Sequence, residues 1–258
     1  MRIEDLDRDR SRSEFVASIF EDLTWLGIRW QEGPDCGGPF EPYTQSHRMA
    51  KYQAALETLL QKGLVYPCKC SRQDIQRSVA APHPEDDEPI YPGTCRPTTA
   101  GALTSIDPVR QHQQRWNWRF RVPEERIIHF DDSGFGPQRL VAGKDFGDFV
   151  AWRHDGIPSY QLAVVVDDAA MGITEVVRGA DLLRSTARQL LLYEAFGWTT
   201  PKFHHCPLMT DKDGRRLAKR HAALSLAALR ERGVTPEQIQ DPWAGGQTGS
   251  AGLPVILD

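Results

Sequence analysis

Three cysteines lie close together in a segment that also contains turn-forming residues. Cys68 and Cys70 stand in the motif PCKC, and Cys95 closes the motif YPGTC. Thiolates are among the best protein ligands of zinc, which takes about four donors in a tetrahedron. The spacing therefore predicts a metal site built on three thiolates, with the phenolate of Tyr91, His83 or a water as the fourth ligand. The alternative interpretation is that the three thiols are unrelated and free.

A basic segment follows a turn signal towards the C-terminal end of the sequence. The stretch DGRRLAKRH (213–221) places several cations, Lys219 among them, directly after Asp213-Gly214. Cations on a loop that contains glycine suit a triphosphate, because negative charge builds up on the leaving pyrophosphate during nucleotidyl transfer. A solvated charged loop has the same composition, so this motif alone leaves both interpretations open.

Polar residues also flank the apolar runs of the sequence. Glu4 and Asp7 follow the first apolar residues, and Tyr160 opens the segment 159–183. Asp167 and Asp168 end the run AVVVDD, and Arg178 ends the run ITEVVRG. Ligands of α/β sheets bind at the carboxyl ends of strands. Asp, Tyr and Arg side chains placed there can hold the amine and carboxylate of an amino acid. Capping of strand and helix ends accounts for the same residues equally well.

Composition restricts the class of protein. The chain has 258 residues, of which 40% are hydrophobic and 26% charged, and its net charge is −4. These values are typical of a globular protein with a sizeable core, and they give no global basic field for nucleic acid. No apolar run approaches the roughly 20 residues that cross a membrane. An odd number of cysteines, five, favours a reducing compartment, so we expect a cytoplasmic protein without a membrane partner.

Periodicity predicts the elements that must position these residues. Helices are expected at 11–26, where Phe15, Ile19, Leu23 and Leu26 recur at helical spacing, at 44–62, and at 181–196, where Gly197 ends the helix. Strands are expected at 116–122, 126–130, 148–156, 163–168, 173–179 and from 202 onward. The tail, 241–258, is assigned no element. Helices mixed with buried strands indicate an α/β domain.

Several segments, taken in order, resemble the catalytic region of the glutamyl-type class I aminoacyl-tRNA synthetases. They are RIEDLDRDRSR, YTQSHRMAKYQAALETLLQKGLVYPCKCSR, YPGTCR and PSYQLAVVVDDAAMGITEVVRGADLL, and RRLAK stands where the family has its KMSKS signature. The resemblance runs from residue 1 to about residue 230. It implies an enzyme that activates glutamate with ATP, with Mg²⁺ as the expected companion of the nucleotide.

The resemblance also assigns roles to individual residues. Glu4 resembles the carboxylate that holds the substrate α-amino group, while Tyr160 and Arg178 resemble the other glutamate contacts. Lys219 resembles the catalytic lysine that stabilises the ATP phosphates. Cys68, Cys70, Tyr91 and Cys95 resemble the ligands of a structural zinc ion, and for the fourth ligand the resemblance therefore selects Tyr91.

The short chain resembles in particular the stand-alone members of this family, which activate glutamate without tRNA and transfer it to queuosine in the anticodon of tRNA(Asp). Fewer than 40 residues follow Lys219, too few for an anticodon-binding domain. We therefore expect L-glutamate, ATP and queuosine-containing tRNA(Asp) as partners of a monomer. Two alternatives are a catalytic fragment of a glutamyl-tRNA synthetase that transfers glutamate to a terminal adenosine, and a non-catalytic, zinc-stabilised remnant.

The sequence departs from the family pattern in two places. In the KMSKS-like segment Arg216 replaces the first lysine and Ala218 replaces the serine; because Lys219 is kept, we expect a weakened rather than a lost function. The family also carries a first strand and a HIGH signature before RIEDLD, and no HIGH-like signature occurs here. We therefore expect a Rossmann-like catalytic domain without its first strand and helix.

The expected domain organisation follows from this resemblance. Residues 1–65 form the first part of the catalytic domain, and residues 66–125 form an inserted zinc-binding and connective lobe. Residues 126–232 form the second part of the catalytic domain with the KMSKS-like loop, and residues 233–258 are a C-terminal tail.

Overall fold

The computed structural model describes residues 1–7, 11–71, 73–75, 90–98, 115–208 and 225–244. These residues divide into two compact units. The first unit contains Met1–Ser46, Gly179–Asp181 and the described residues from Cys206 onward, and the second contains His47–Arg178 and Leu182–His205. The predicted domain boundaries are not tested by this division and stay a prediction.

Helices and strands alternate irregularly along the described residues. The helices are α1 (Ser13–Trp25), α2 (Met49–Gln61), α3 (Tyr160–Ala170), α4 (Leu183–Phe196), α5 (Leu226–Glu231) and α6 (Pro236–Ala244). The strands are β1 (Val65–Cys68), β2 (Asn117–Phe120), β3 (Ile127–Asp132), β4 (Gly136–Val141), β5 (Phe149–Trp152), β6 (Glu175–Gly179) and β7 (Lys202–Cys206).

A three-stranded antiparallel sheet in the order β1-β2-β5 carries the cysteine segment. Its apolar side chains form a core in which the rings of Phe120 and Phe149 stack at 5.1 Å. Trp118 and Trp152 are buried beside them. The alternation predicted for 116–122 holds for Trp118 and Phe120. It does not predict that Arg119, the residue between them, is buried as well.

The second sheet has four strands in the order β4-β3-β7-β6 and carries Arg178 on β6. Strand β3 pairs with β4 antiparallel and with β7 parallel, with Asp132 opposite Phe203. Strands β3, β6 and β7 were expected from their apolar runs, whereas β4 was not, because GPQRLV lacks a regular alternation. The pairing places the last residue of β3, Asp132, beside the beginning of β7.

Residues 163–168 were predicted as a buried strand, and this prediction was wrong. They lie in helix α3, whose N-cap Ser159 accepts a hydrogen bond from the amide of Leu162 at 3.3 Å. The run from Leu162 to Asp167 is buried throughout. A helix that is enclosed on most sides shows no polar face, so its sequence has the same appearance as a buried strand.

Asp167 consequently does not stand at a strand end. Its carboxylate lies 2.6 Å from Nε of Arg48 and accepts a hydrogen bond from the Tyr52 hydroxyl at 2.8 Å. Both partners are contributed by the second predicted helix, which begins as a 3-10 turn and continues as α2. The ion pair therefore ties α2 to α3 inside the second unit.

The first unit is held by a short bridge and by helix packing. Ile3 pairs with Thr44, and the Asp5 carboxylate accepts hydrogen bonds from the amide and hydroxyl of Ser46 at 2.8 and 2.6 Å. Helix α1 forms where predicted, but Phe15 and Ile19 of its apolar repeat are 50% and 43% exposed. They do not contribute to a core.

The C-terminal part of the first unit contains two helices that were not predicted. Leu229 of α5, Val234 and Ile239 of α6 form a small apolar cluster, against which Trp25 and Leu26 pack. Helix α6 extends to Ala244, so the first four residues of the expected structureless tail are helical. Among the described residues, no helix has both the length and the apolar character needed to span a bilayer.

Candidate metal and substrate sites

The structure brings together the three cysteines of the motifs PCKC and YPGTC. Cys68 ends β1, Cys70 follows two residues later, and Cys95 returns from the segment 90–98. The three Sγ atoms all lie within 4.8 Å of one another. The Tyr91 hydroxyl lies 3.4 Å from Sγ of Cys68 and 3.7 Å from Sγ of Cys70.

These separations can be compared with those around a zinc ion. Bond lengths of about 2.3 Å for Zn–S and 2.0 Å for Zn–O place tetrahedral ligands about 3.8 Å apart for two sulfurs and about 3.5 Å apart for sulfur and oxygen. The Sγ atoms of Cys70 and Cys95 are 3.6 Å apart, and the Tyr91 oxygen distances fall in the same range. The residues present fit a tetrahedral Zn²⁺ ion, and zinc binding itself stays a prediction.

Neighbouring groups fix the metal-site side chains. The Tyr91 hydroxyl accepts a hydrogen bond from the amide of Cys95 at 2.7 Å. Arg96 donates to the carboxylate of Asp148 at 2.8 Å and to the carbonyl of Val122 at 2.8 Å. These contacts anchor the segment 90–98 on the three-stranded sheet, so the ligands are held before any ion binds.

Arg119 is a further residue of this region that sequence analysis did not single out. It is buried, its Nε lies 3.2 Å from Sγ of Cys68, and its guanidinium carbon lies 4.0 Å from the centre of the Tyr91 ring. Three thiolates, a phenolate and Zn²⁺ carry a net charge of about −2. A buried guanidinium beside them offsets part of that charge, because burial weakens the screening by water.

The acid–base properties of the cluster follow from its burial and mutual contacts. Burial raises the pKa of the Cys70 thiol to about 11 and also raises the pKa of the Tyr91 hydroxyl. Burial acts in the same direction on Cys95, but hydrogen bonds from the amide of Lys69 and from Tyr91 outweigh it and lower the pKa of that thiol. A metal cation that binds here must displace the protons of the Cys70 thiol and the Tyr91 hydroxyl, which are held more strongly than usual.

Arg178 lies on β6 and is held on three sides within the second unit. Its Nε donates to Nε2 of His205 at 3.1 Å, and its Nη2 donates to the Thr186 hydroxyl at 2.7 Å. Its guanidinium carbon lies 5.3 Å from the centre of the Phe203 ring. The described residues of this unit supply no acceptor for Nη1, so that edge of the guanidinium is available to a carboxylate.

Behind Arg178 stands a buried carboxylate. Asp132, the last residue of β3, lies 2.6 Å from Nδ1 of His205 and accepts hydrogen bonds from the amides of His205, Gly134 and Phe135 at 2.9–3.1 Å. Burial alone would raise the pKa of Asp132, but these hydrogen bonds hold it below its ordinary value. Asp132 is therefore an anion at neutral pH.

Tyr160, the second predicted glutamate contact, begins helix α3 and is 40% exposed. Its neighbour Gln161 donates to the Ser185 hydroxyl at 3.0 Å, while Arg178 donates to the adjacent Thr186. The start of α3 and the end of β6 are thus anchored on consecutive residues of α4. Arg178 and the neighbour of Tyr160 thus both contact the first turn of α4.

Glu4, the third predicted contact, belongs to the first unit. The bridge from Ile3 to Thr44 fixes its backbone, and its exposed carboxylate lies 2.9 Å from Nη2 of Arg2. The structure therefore assigns Glu4 to one unit and Tyr160 and Arg178 to the other. Lys219 of the basic loop and His83, the other candidate zinc ligand, lie outside the described residues.

Comparison with known proteins decides the family. A model of the class I tRNA synthetases (E and Q), catalytic domain, matches residues 1–241. The chain belongs to this family. It is an enzyme of the aminoacyl-tRNA synthetase class, and the predictions of such a ligase and of a class I synthetase catalytic domain with mixed α/β sheets are confirmed.

Relatives within the family carry two kinds of name. Proteins named glutamyl-Q tRNA(Asp) synthetase from Nitratidesulfovibrio vulgaris and Symbiobacterium thermophilum are 47% and 49% identical to this chain over 93% of its length, and it spans 72% and 73% of them. A glutamate–tRNA ligase of Nitrosococcus oceani is 41% identical, and the chain spans 50% of it. A glutamate–tRNA synthetase structure from Elizabethkingia anophelis superposes with a TM-score of 0.70 at 31% identity, over 85% of this chain and 45% of that one.

Proposed function

We propose that this chain activates L-glutamate with ATP and transfers it to queuosine in the anticodon of tRNA(Asp). In the first step a carboxylate oxygen of glutamate forms a bond to the α-phosphorus of ATP, and pyrophosphate leaves. In the second step a hydroxyl of queuosine attacks the activated carbonyl, and AMP leaves. The observation that supports this acceptor is the identity of 47–49% with two relatives that carry that name and of which the chain spans almost three quarters.

The geometry of the second unit supports an amino-acid substrate. Arg178 offers a free edge of its guanidinium, and a guanidinium pairs with a carboxylate through two parallel hydrogen bonds. In the proposed site Arg178 and Tyr160 contact glutamate, Glu4 holds its ammonium group, and Lys219 stabilises the phosphates of ATP. The Rossmann-like organisation, the inserted zinc lobe and the monomeric state belong to the same proposal.

The first step is tested by exchange of labelled pyrophosphate into ATP. We expect exchange that depends on L-glutamate, proceeds without tRNA, and is not supported by L-glutamine. Arg178→Lys keeps the charge but removes the two-pronged geometry, so it should raise KM for glutamate while the KM for ATP stays unchanged. Absence of exchange from folded protein would overturn the proposed activation step.

The acceptor is tested with labelled glutamate and matched tRNAs. We expect label on tRNA(Asp) that contains queuosine, and none on the same tRNA with guanosine at that position. Removal of the terminal adenosine should leave the transfer intact. Transfer to the terminal adenosine of tRNA(Glu) would instead assign the chain the second candidate function, that of a glutamate–tRNA ligase, which the relatives at 40–41% identity favour.

A structural zinc ion held by Cys68, Cys70, Tyr91 and Cys95 completes the proposal. The ion would cross-link the segment 90–98 to β1 and takes no part in the reaction. Metal analysis of protein purified without chelator should find about one zinc per chain. Cys95→Ser should lose most of it, whereas Cys36→Ser, which changes an exposed cysteine elsewhere, should retain it.

A further inference from the structure

His205 is a fully buried histidine on β7 that links a buried carboxylate to a half-buried arginine. Its Nδ1 lies 2.6 Å from Asp132, and its Nε2 lies 3.1 Å from Nε of Arg178. The exposed fraction of the side chain is zero for both His205 and Asp132. The family resemblance gave no role to either residue.

Chemistry determines which ring nitrogen carries the proton. The Asp132 carboxylate accepts hydrogen bonds from three backbone amides and can only accept from the ring as well, so Nδ1 must donate. A guanidinium can only donate, so Nε2 must accept from Arg178. Both contacts are satisfied at once by the neutral Nδ1–H tautomer.

The imidazole also separates the two charges. A carboxylate in direct contact with Arg178 would occupy the guanidinium and compete with a carboxylate ligand. Through His205, Asp132 fixes the orientation of Arg178 without taking its hydrogen bonds. The Thr186 hydroxyl, another uncharged acceptor, holds Nη2. Among the described residues of the second unit, every partner of the guanidinium group is therefore neutral, and the Nη1 edge keeps its attraction for an anion.

We propose that His205, oriented by Asp132, is a positioning residue that holds Arg178 with its Nη1 edge towards a carboxylate of the substrate. This inference rests on the proposed function for the identity of the substrate. The proposed role of His205 concerns glutamate binding rather than the chemical step. Substitution of His205 should therefore change KM for glutamate rather than kcat.

The kinetic test compares substitutions of similar volume. His205→Met removes the acceptor and should raise KM for glutamate in pyrophosphate exchange roughly tenfold or more, with kcat and the KM for ATP changed less than about threefold. His205→Gln restores an acceptor near the position of Nε2 and should recover most of the loss. His204→Gln, at the next position of β7, is the matched control and should leave both constants unchanged.

A second measurement keeps the inference testable whatever the activity or the folding of the variants. Long-range proton–nitrogen NMR of the wild-type histidine rings, assigned with H205Q, reads the tautomer of His205 directly. The Nδ1–H tautomer is expected, together with a slowly exchanging Nε–H on Arg178. An Nε2–H tautomer would overturn the inference even in an active enzyme, and so would an unchanged KM for glutamate in folded H205M.

The same measurement separates failure of the inference from failure of the proposed function. If wild-type protein shows no exchange with glutamate but has the Nδ1–H tautomer and the protected Arg178 proton, the substrate assignment is wrong and the positioning of Arg178 is supported. If exchange proceeds normally but the tautomer is Nε2–H, the proposed activation of glutamate is supported and the proposed role of His205 is wrong.

Discussion

Replacing Asp167 by asparagine would remove the negative charge from a buried ion pair of the second unit. The carboxylate lies 2.6 Å from Nε of Arg48 and 2.8 Å from the Tyr52 hydroxyl. The side chains of Arg48 and Asp167 are 1% and 0% exposed. The substitution preserves the shape of the side chain and removes the carboxylate charge that lies 2.6 Å from the buried Arg48.

The expected cost follows from this burial. Removal of one partner of a buried pair destabilises a protein by about 3–5 kcal/mol, because the remaining charge has lost both water and counter-ion. A domain of ordinary stability has about 5–15 kcal/mol in total, so the loss is a large fraction. Tyr52→Phe removes one hydrogen bond to a charged group and should cost less, about 1.5–3 kcal/mol.

The assay is urea denaturation followed by tryptophan fluorescence, since Trp118 and Trp152 are buried in the same unit. Glutamate-dependent pyrophosphate exchange is measured in parallel on the folded fraction. The double substitution R48M/D167L replaces both charges by apolar groups and should recover most of the lost stability. Exchange by folded D167N is expected within a few-fold of wild type, because the pair is structural.

One outcome would contradict a purely structural role of the pair between Arg48 and Asp167. Sequence analysis predicted a strand at 163–168 that ends at Asp167 and Asp168, which made Asp167 a candidate for substrate binding. If D167N kept the unfolding midpoint of the wild type and lost exchange, the carboxylate would act on the substrate, and the structural interpretation of the pair would be refuted.

Three further predictions concern the two candidate sites. Arg119→Met should weaken zinc binding by roughly 10- to 100-fold in competition with a chromophoric chelator, because it removes a buried positive charge beside the thiolates; an unchanged affinity would contradict this. Asp132→Asn should alter the pH dependence of stability. The folded pKa of Asp132 is lowered, so its stabilisation is complete above the unfolded value of about 3.9 and disappears as the pH falls through the folded value. The difference in unfolding midpoint between wild type and D132N should therefore shrink below about pH 4. Thr186→Asp should pair with Arg178 and raise KM for glutamate by at least about tenfold relative to the neutral, isosteric Thr186→Asn; equal KM values would show that the guanidinium is not the carboxylate contact.

The predictions of the cysteine cluster and of helix α4 were confirmed, and both rest on the spacing of neighbouring residues. The cluster of Cys68, Cys70 and Cys95 was visible because PCKC and YPGTC are short motifs with distinctive residue types. Helix α4 was visible because Gly197 ends it in the left-handed conformation, with φ of 73°. In both cases the information lies within a few residues, and no knowledge of the tertiary structure was needed.

The residues that sequence analysis did not identify depend on tertiary contacts. Arg119 alternates with apolar residues on β2 and would face solvent in an isolated hairpin, yet it is buried against Cys68 and Tyr91. Asp132 and His205 are separated by 73 positions in sequence and meet only because β3 pairs with β7. The contacts of Arg119 with Cys68 and Tyr91, and of Asp132 with His205, leave no periodic signal, so a single sequence cannot show them.

Three arginines of the second unit illustrate how partner chemistry distinguishes a structural residue from a binding residue. Arg48 is in direct contact with the carboxylate of Asp167, which neutralises its charge. Arg96 is paired in the same way with Asp148. Arg178 has its carboxylate one residue further away, behind the imidazole of His205. The positive charge is thus oriented but not neutralised, which is the condition under which a guanidinium binds an incoming carboxylate most strongly.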